Sequence, residues 1–206
     1  MHYHSPVDFS LEADAGSFRS ALTSPSTIVV EAVRSMGHAS FDALSRHVAA
    51  LPYGRVSRAD HPLAVLQEGR GTCSSKHLLL ACVAQGCGHF EVMLTVGIYP
   101  MCEDNTPGVG AVLEARGLSA MPGAHCYLTI DHQRLDFTGR PRGRSSVFSA
   151  LTSEYFLAPE GLAGRKLQLH KQAIALWASE HGLSEQAAWE LREACVASLT
   201  QASAAR

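Results

Sequence analysis

The chain is expected to fold as an α+β domain in which helices flank a central antiparallel sheet. Three observations predict this: residues 24–50 place apolar side chains at helical spacing, residues 73–86 are apolar on nearly every side, and two β-rich stretches, 89–100 and 125–139, separate that buried helix from a helical C-terminal part. Strands grouped between helices, rather than alternating with them, favour an antiparallel sheet with segregated helices. At 206 residues the chain is long enough for one well-packed core. The expected division is a main domain over 1–160 and a C-terminal helical segment over 161–206 packed on it.

In chain order, residues 24–50 predict two short helices, broken at Gly37-His38 and restarted by Ser40. Prolines, a glycine and an aspartate make 51–62 a loop, followed by the helical turn LAVLQEG. The run after Cys73 predicts a buried helix ended by Gly86, and HFEVMLTVGIYP predicts a strand. Residues 101–124 read as an insertion over one sheet edge with a short helix near 109–116. CYLTI and RLDFT form a hairpin candidate around Asp131-His132-Gln133, and 140–146 is a basic exit. From 165 on, two helices meet at Gly182-Leu183, the second capped by Ser184.

Hydrophobic residues at 46% and charged residues at 17% exclude a disordered or fibrous chain. A formal net charge of -2 without a basic run offers no field for phosphate backbones, so nucleic acid is not an expected partner. The N-terminal stretch lacks a basic-then-apolar layout and no apolar run approaches ~18 residues, so neither export nor a membrane partner is expected and the cytoplasm is the expected compartment. Six cysteines in that setting read as free thiols, one of them a candidate nucleophile.

That candidate is Cys73, at the seam between a glycine-containing loop and the buried helix. A helix N-terminus supplies unsatisfied N–H groups and positive potential, which favour thiolate over thiol and can bind a developing oxyanion. Alone, Cys73 is also an ordinary buried cysteine. A thiol nucleophile needs a base, and His125 at the start of one predicted strand, with Asp136 near the end of the next, supplies an imidazole and the carboxylate to hold it. Residues on paired strands share a face when the loop between them is even-numbered. A four-residue turn over 129–132 would put His125 directly opposite Asp136, and a three-residue loop would need a bulge.

The order Gly71-Thr72-Cys73, strand, His125, Asp136-Phe137-Thr138 resembles the transglutaminase-like cysteine enzymes, a branch of the papain-like fold, over about residues 41–140. The resemblance implies a papain/transglutaminase-like core with a catalytic domain over 1–160, Cys73 as nucleophile, His125 as general base and acid, and Asp136 as the group orienting the imidazole. Many members place an aromatic directly after the histidine and have Asp-Pro-Thr, whereas this chain has Cys126 and Asp-Phe-Thr. Trp177 and Trp189 both fall in the C-terminal helices, so no tryptophan precedes Cys73 as in the large transglutaminases. With no room for β-sandwich domains, a calcium-activated cross-linker is not expected.

Gln67, six residues before Cys73, is a candidate oxyanion donor at a separation papain-like proteases also use. Thr72 and Ser74 flank the thiol, and Tyr53, Arg55 and Met101 are candidate substrate contacts, with Leu113 and Met121 as further apolar contacts from the insertion. His77, four residues after Cys73, reads as a helix-face histidine near the site, and Cys82 as core. Paired ligands at zinc spacing are missing, so no metal or other cofactor is expected. The C-terminal helices superficially suit a helix-turn-helix, but the second offers one Arg in a Glu-rich stretch and reads instead as a hairpin for the core or a second subunit. The expected activity is cysteine-dependent hydrolysis of an amide or peptide-like bond through an acyl-thioester. The alternatives are acyl transfer to an amine and a non-catalytic binding module of the same fold.

Overall fold

The computed structural model describes residues 8–11, 25–141 and 143–204. The N-terminal stretch on which the export expectation rests lies almost wholly outside them, as does Arg142 of the basic exit. Helix α1 (Pro25–Ser35) and helix α2 (Phe41–Ala50) are the two expected N-terminal helices. Ser40 restarts the chain as an N-cap, its side chain accepting from the Ala43 amide at 3.2 Å. Phe41, Leu44 and Val48 then fall on one buried face. A short helix α3 (Ala64–Glu68) leads into helix α4 (Cys73–Gly86).

Helix α4 starts at the thiol because Thr72 and Ser75 form a reciprocal cap, each side chain bonded to the other's backbone. Its residues from Ser75 to Ala84 are all buried, as expected of a helix with no polar stripe. The helix ends at Gly86 as expected, but this glycine is not the left-handed residue of the cap. A Cβ there would meet the Ser26 carbonyl oxygen at 2.6 Å, so this glycine exists for the close approach of α1. The stop is Gly88, at φ 87, with His89 N–H bonded back to the Ala84 carbonyl.

That turn displaces the first strand, so β1 is Met93–Met101 rather than starting at 89. Strand β2 (Met121–Ile130) begins four residues before His125, and residues 121–124 therefore belong to the sheet, not to the insertion. Strand β3 (Gln133–Leu135) follows a two-residue turn, Asp131-His132, with φ 45 and 63. Both turn residues are left-handed, the geometry that suits the twist of a tight hairpin. Strand β4 (Ser153–Leu157), not anticipated, pairs antiparallel with β1 and gives the order β3-β2-β1-β4.

Leu94, Val96, Cys126 and Leu128 of the sheet pack with α1, α2 and α4 in one core. A second core joins Tyr99, Met101 and Met121 to the helix α5 (Gly110–Glu114) and to the C-terminal helices α6 (Leu162–Glu180) and α7 (Glu185–Ala204). Ser184 caps α7 as expected, accepting from the Ala187 amide at 3.1 Å. Among the described residues no helix is long and apolar enough to cross a membrane. The arrangement is thus a mixed α+β fold with N-terminal helices, a four-stranded antiparallel sheet and C-terminal helices.

Candidate active site

Cys73 occupies the first position of α4, buried, with its sulfur beside the start of the helix. The imidazole of His125, on β2, is hydrogen-bonded through Nε2 to Asp136 Oδ2 at 2.9 Å, and it lies close enough to Cys73 for the charges of the two groups to act on each other. With Nε2 engaged by the carboxylate, Nδ1 is the nitrogen left for the thiol. The backbone N–H of Cys126 favours the ionised form of this sulfur. Asp136 itself is held by Thr138, whose amide and hydroxyl reach Oδ1 at 2.9 and 2.5 Å.

The hairpin register explains how His125 and Asp136 meet. Leu128 pairs with Leu135, so His125 would face position 138 rather than 136 if the ladder continued. The turn has two residues, not four, yet it is still even-numbered, and parity keeps both side chains on one face. Asp136 lies just beyond β3 and closes the remaining offset.

His77, expected on a helix face near the site, lies there and is fully buried. The Phe137 N–H donates to its Nε2 at 2.8 Å, which makes Nδ1 the protonated nitrogen, donating to the Cys73 carbonyl at 2.7 Å. Burial pushes its pKa down to about 4, beyond the opposing pull of Asp136, so it is a neutral strut between the Cys73 helix and the Asp136 loop. Lys76, also fully buried, donates to the carbonyls of Leu51 at 2.6 Å and Thr138 at 2.7 Å. Burial lowers it to about 8 against the attraction of Asp136 and Cys73.

Lys166, one turn into α6, brings Nζ to 3.3 Å from Cys73 Sγ and 2.7 Å from Ser74 Oγ. Burial alone would raise the Cys73 thiol. The Lys166 charge, the hydrogen bond and charge of His125 and the Cys126 amide overcome it, and hold the thiol well below its ordinary value. Burial likewise disfavours a charged His125, but the charge and hydrogen bond of Asp136, with those of Cys73, raise it to about 9. Burial would also raise Asp136, and the contacts with His125, His77 and Thr138 keep it well below the usual carboxylate range. These shifts all favour a thiolate, an imidazolium and a carboxylate side by side. Replacing Lys166 with Met is expected to move the acid limb of Cys73 alkylation to higher pH and to cut the rate at pH 6 about fivefold, measured with iodoacetamide.

A cavity of about 300 Å³ opens over Cys73. Tyr53, Arg55, Thr72, Ser74 and Met101 line it, together with His125. Gln67 does not: it is exposed on α3, outside the lining. Leu113 and Met121 are buried in the second core and touch neither this cavity nor its neighbour, because the short helix that bears Leu113 packs against α7. Trp189, Arg192 and Lys166 reach the cavity from the C-terminal helices, and sequence reasoning missed all three in this role. The one available signal was amphipathic: Trp189 and Arg192 are three residues apart on a helix, hence on one face. A second cavity of about 730 Å³ lies on the Asp136 side of His125, lined by Phe137, Arg140 and Phe148. Comparison with protein-family models, with curated proteins and with solved structures returns no match, so the geometry alone bears on function.

Proposed function

We propose that the protein is a cysteine-dependent acyl-transfer enzyme with a papain/transglutaminase-like core, hydrolysing an amide or peptide-like bond through a thioester on Cys73. The observation that supports this best is the His125–Asp136 hydrogen bond beside a buried Cys73 that stands at a helix N-terminus and beneath a cavity. In the first step the thiolate attacks the acyl carbon. The C–S bond forms, the carbonyl electrons move to oxygen, and the Cys126 amide and the first-turn amides of α4 are the donors nearest that oxyanion. The oxyanion collapses, the bond to the leaving amine breaks, and His125 gives that amine its proton. Water then loses a proton to His125, attacks the thioester and releases the acid. Asp136 keeps the ring oriented and charged during the first step.

Acyl transfer to an amine is the second reading, favoured by one observation: two cavities meet at His125, which admits an acceptor from the side opposite the donor. A non-catalytic binding module would have no use for a depressed thiol. The test is mass spectrometry of the intact protein after incubation with amides and thiophenyl esters. An acyl adduct on Cys73, absent in Cys73→Ala and released faster by added amine than by water, supports transferase chemistry. Release at the same rate supports hydrolysis, and no adduct from any donor sinks the enzyme reading.

A further inference from the structure

The cavity over Cys73 has cationic groups that the acyl chemistry leaves unused. Arg55, Arg140 and Arg192 line it in addition to Lys166 and His125, and among the described residues no Asp or Glu does. The Cys73 thiolate answers Lys166, and Asp136 answers His125. Glu193 alone answers both Arg55, at 2.6 Å, and Arg192. Arg140 lies over the Tyr53 ring at 5.3 Å and has no ion pair with a described carboxylate. Two positive charges are therefore left over in a small, partly apolar space.

Arg192 is the more specific of the two. Its guanidinium is stacked 4.9 Å over the Trp189 ring, and its Nε is buried with no hydrogen-bond partner. A buried guanidinium N–H without an acceptor is costly, and a planar fork of donors matches a carboxylate. Arg140 lies over the half-buried Tyr53 ring, and Cys73 and Arg192 line the same cavity as that ring. Tyr53, Tyr99 and Trp189 wall the space between, and about 300 Å³ suits a small molecule rather than a protein segment.

We infer that the acyl substrate is a small molecule bearing a free carboxylate, which Arg192 and Arg140 bind while its acyl carbon is presented to Cys73. This rests on Cys73 being the nucleophile, and the experiment separates the two. The S-phenyl thioester of glutaric acid and that of its neutral monomethyl ester are compared by the rate of adduct formation on Cys73. The carboxylate donor is expected to react at least about tenfold faster. Arg192→Gln and Arg140→Gln should each reduce that ratio, Arg192→Lys should restore part of it, and Arg116→Gln, on an exposed turn remote from both cavities, should not change it. Equal rates in the unmodified protein overturn the inference and leave the nucleophile standing. No adduct from either donor overturns the nucleophile, and the anion site is then read independently. Glutarate should slow alkylation of Cys73 by iodoacetamide where glutaramide does not, with the protection lost in Arg192→Gln. Equal protection by the two overturns the site, and stronger protection by inorganic phosphate overturns its assignment to carboxylates.

Discussion

Replacing His125 with alanine is expected to slow alkylation of Cys73 at pH 6 by about a hundredfold. In the intact protein the thiol is held well below its ordinary value by Lys166, His125 and the Cys126 amide against burial, so the thiolate persists under mildly acidic conditions. Without the imidazolium, burial regains weight and the sulfur behaves as a protonated thiol that gains reactivity only toward alkaline pH. The rate-against-pH profile with iodoacetamide measures this. The intact protein should give a plateau extending below pH 7, and His125→Ala a tenfold fall for each unit of acidification. Identical profiles would remove His125 from the site's chemistry.

The same pair links protonation to stability. His125 is raised to about 9 in the folded chain, so its contribution is fully present below about 6.5, its unfolded value, and is lost as pH rises through about 9. Asp136 and Cys73 are depressed, so their contributions are present above their unfolded values and are lost as pH falls through the folded ones. The ion pair is complete only between these limits. Asp136 keeps 33% of its side chain exposed, and solvent screening limits what its pairing adds. Turnover should also decline above pH 9, where His125 no longer has a proton for the leaving group.

Substituting Gly139 with alanine is expected to cost about 3 kcal/mol or more, a loss of roughly 6–12 °C in Tm for a chain of this size. Gly139 has φ 71, which an L side chain rarely adopts, and a Cβ there would lie 1.7 Å from the Ala49 carbonyl oxygen. That atom belongs to the last turn of α2, so the obstacle is backbone and cannot rotate away. The strain falls on the loop that includes Asp136, whose neighbour Thr138 is tied to Lys76. Thermal unfolding followed by circular dichroism checks the stability. The alkylation profile should move toward that of His125→Ala as Asp136 is displaced. A Tm within about 1 °C of the unmodified protein would mean that the loop moves freely.

The parts of the fold legible in the sequence were those written in local chemistry. Ser40 and Ser184 announce helix starts because a cap is decided within three residues. The Cys73 helix announces its burial because no polar stripe interrupts it. Strand β4 was missed because SEYFL is exposed along most of its length and shows no clean alternation: it is an edge strand whose pairing with β1 is settled by backbone. The meeting of His125 with Asp136 was legible through parity, which survives an error of two residues in the turn, although the register did not. Gly86 marked the helix end, but its second role, the close approach of α1, was not legible because a contact glycine looks, in one dimension, like a terminator. Lys166 had no local mark at all, since a lysine on an exposed-looking helix acquires its meaning only from what the tertiary fold puts beside it.

That contact has a consequence for how the chain is made. Lys166 stands 93 residues after Cys73, and its charge is the strongest influence opposing burial of the thiolate. A polypeptide synthesised from its N-terminus exposes the sulfur to the cell well before α6 exists, and the β2 and β3 residues arrive in between. Until β2 arrives the thiol lacks His125, and until α6 arrives it lacks the charge of Lys166, so it meets oxidants and electrophiles as a less ionised and less reactive group. Chemical competence is thus acquired late in synthesis, and the half-made chain is protected by its own incompleteness.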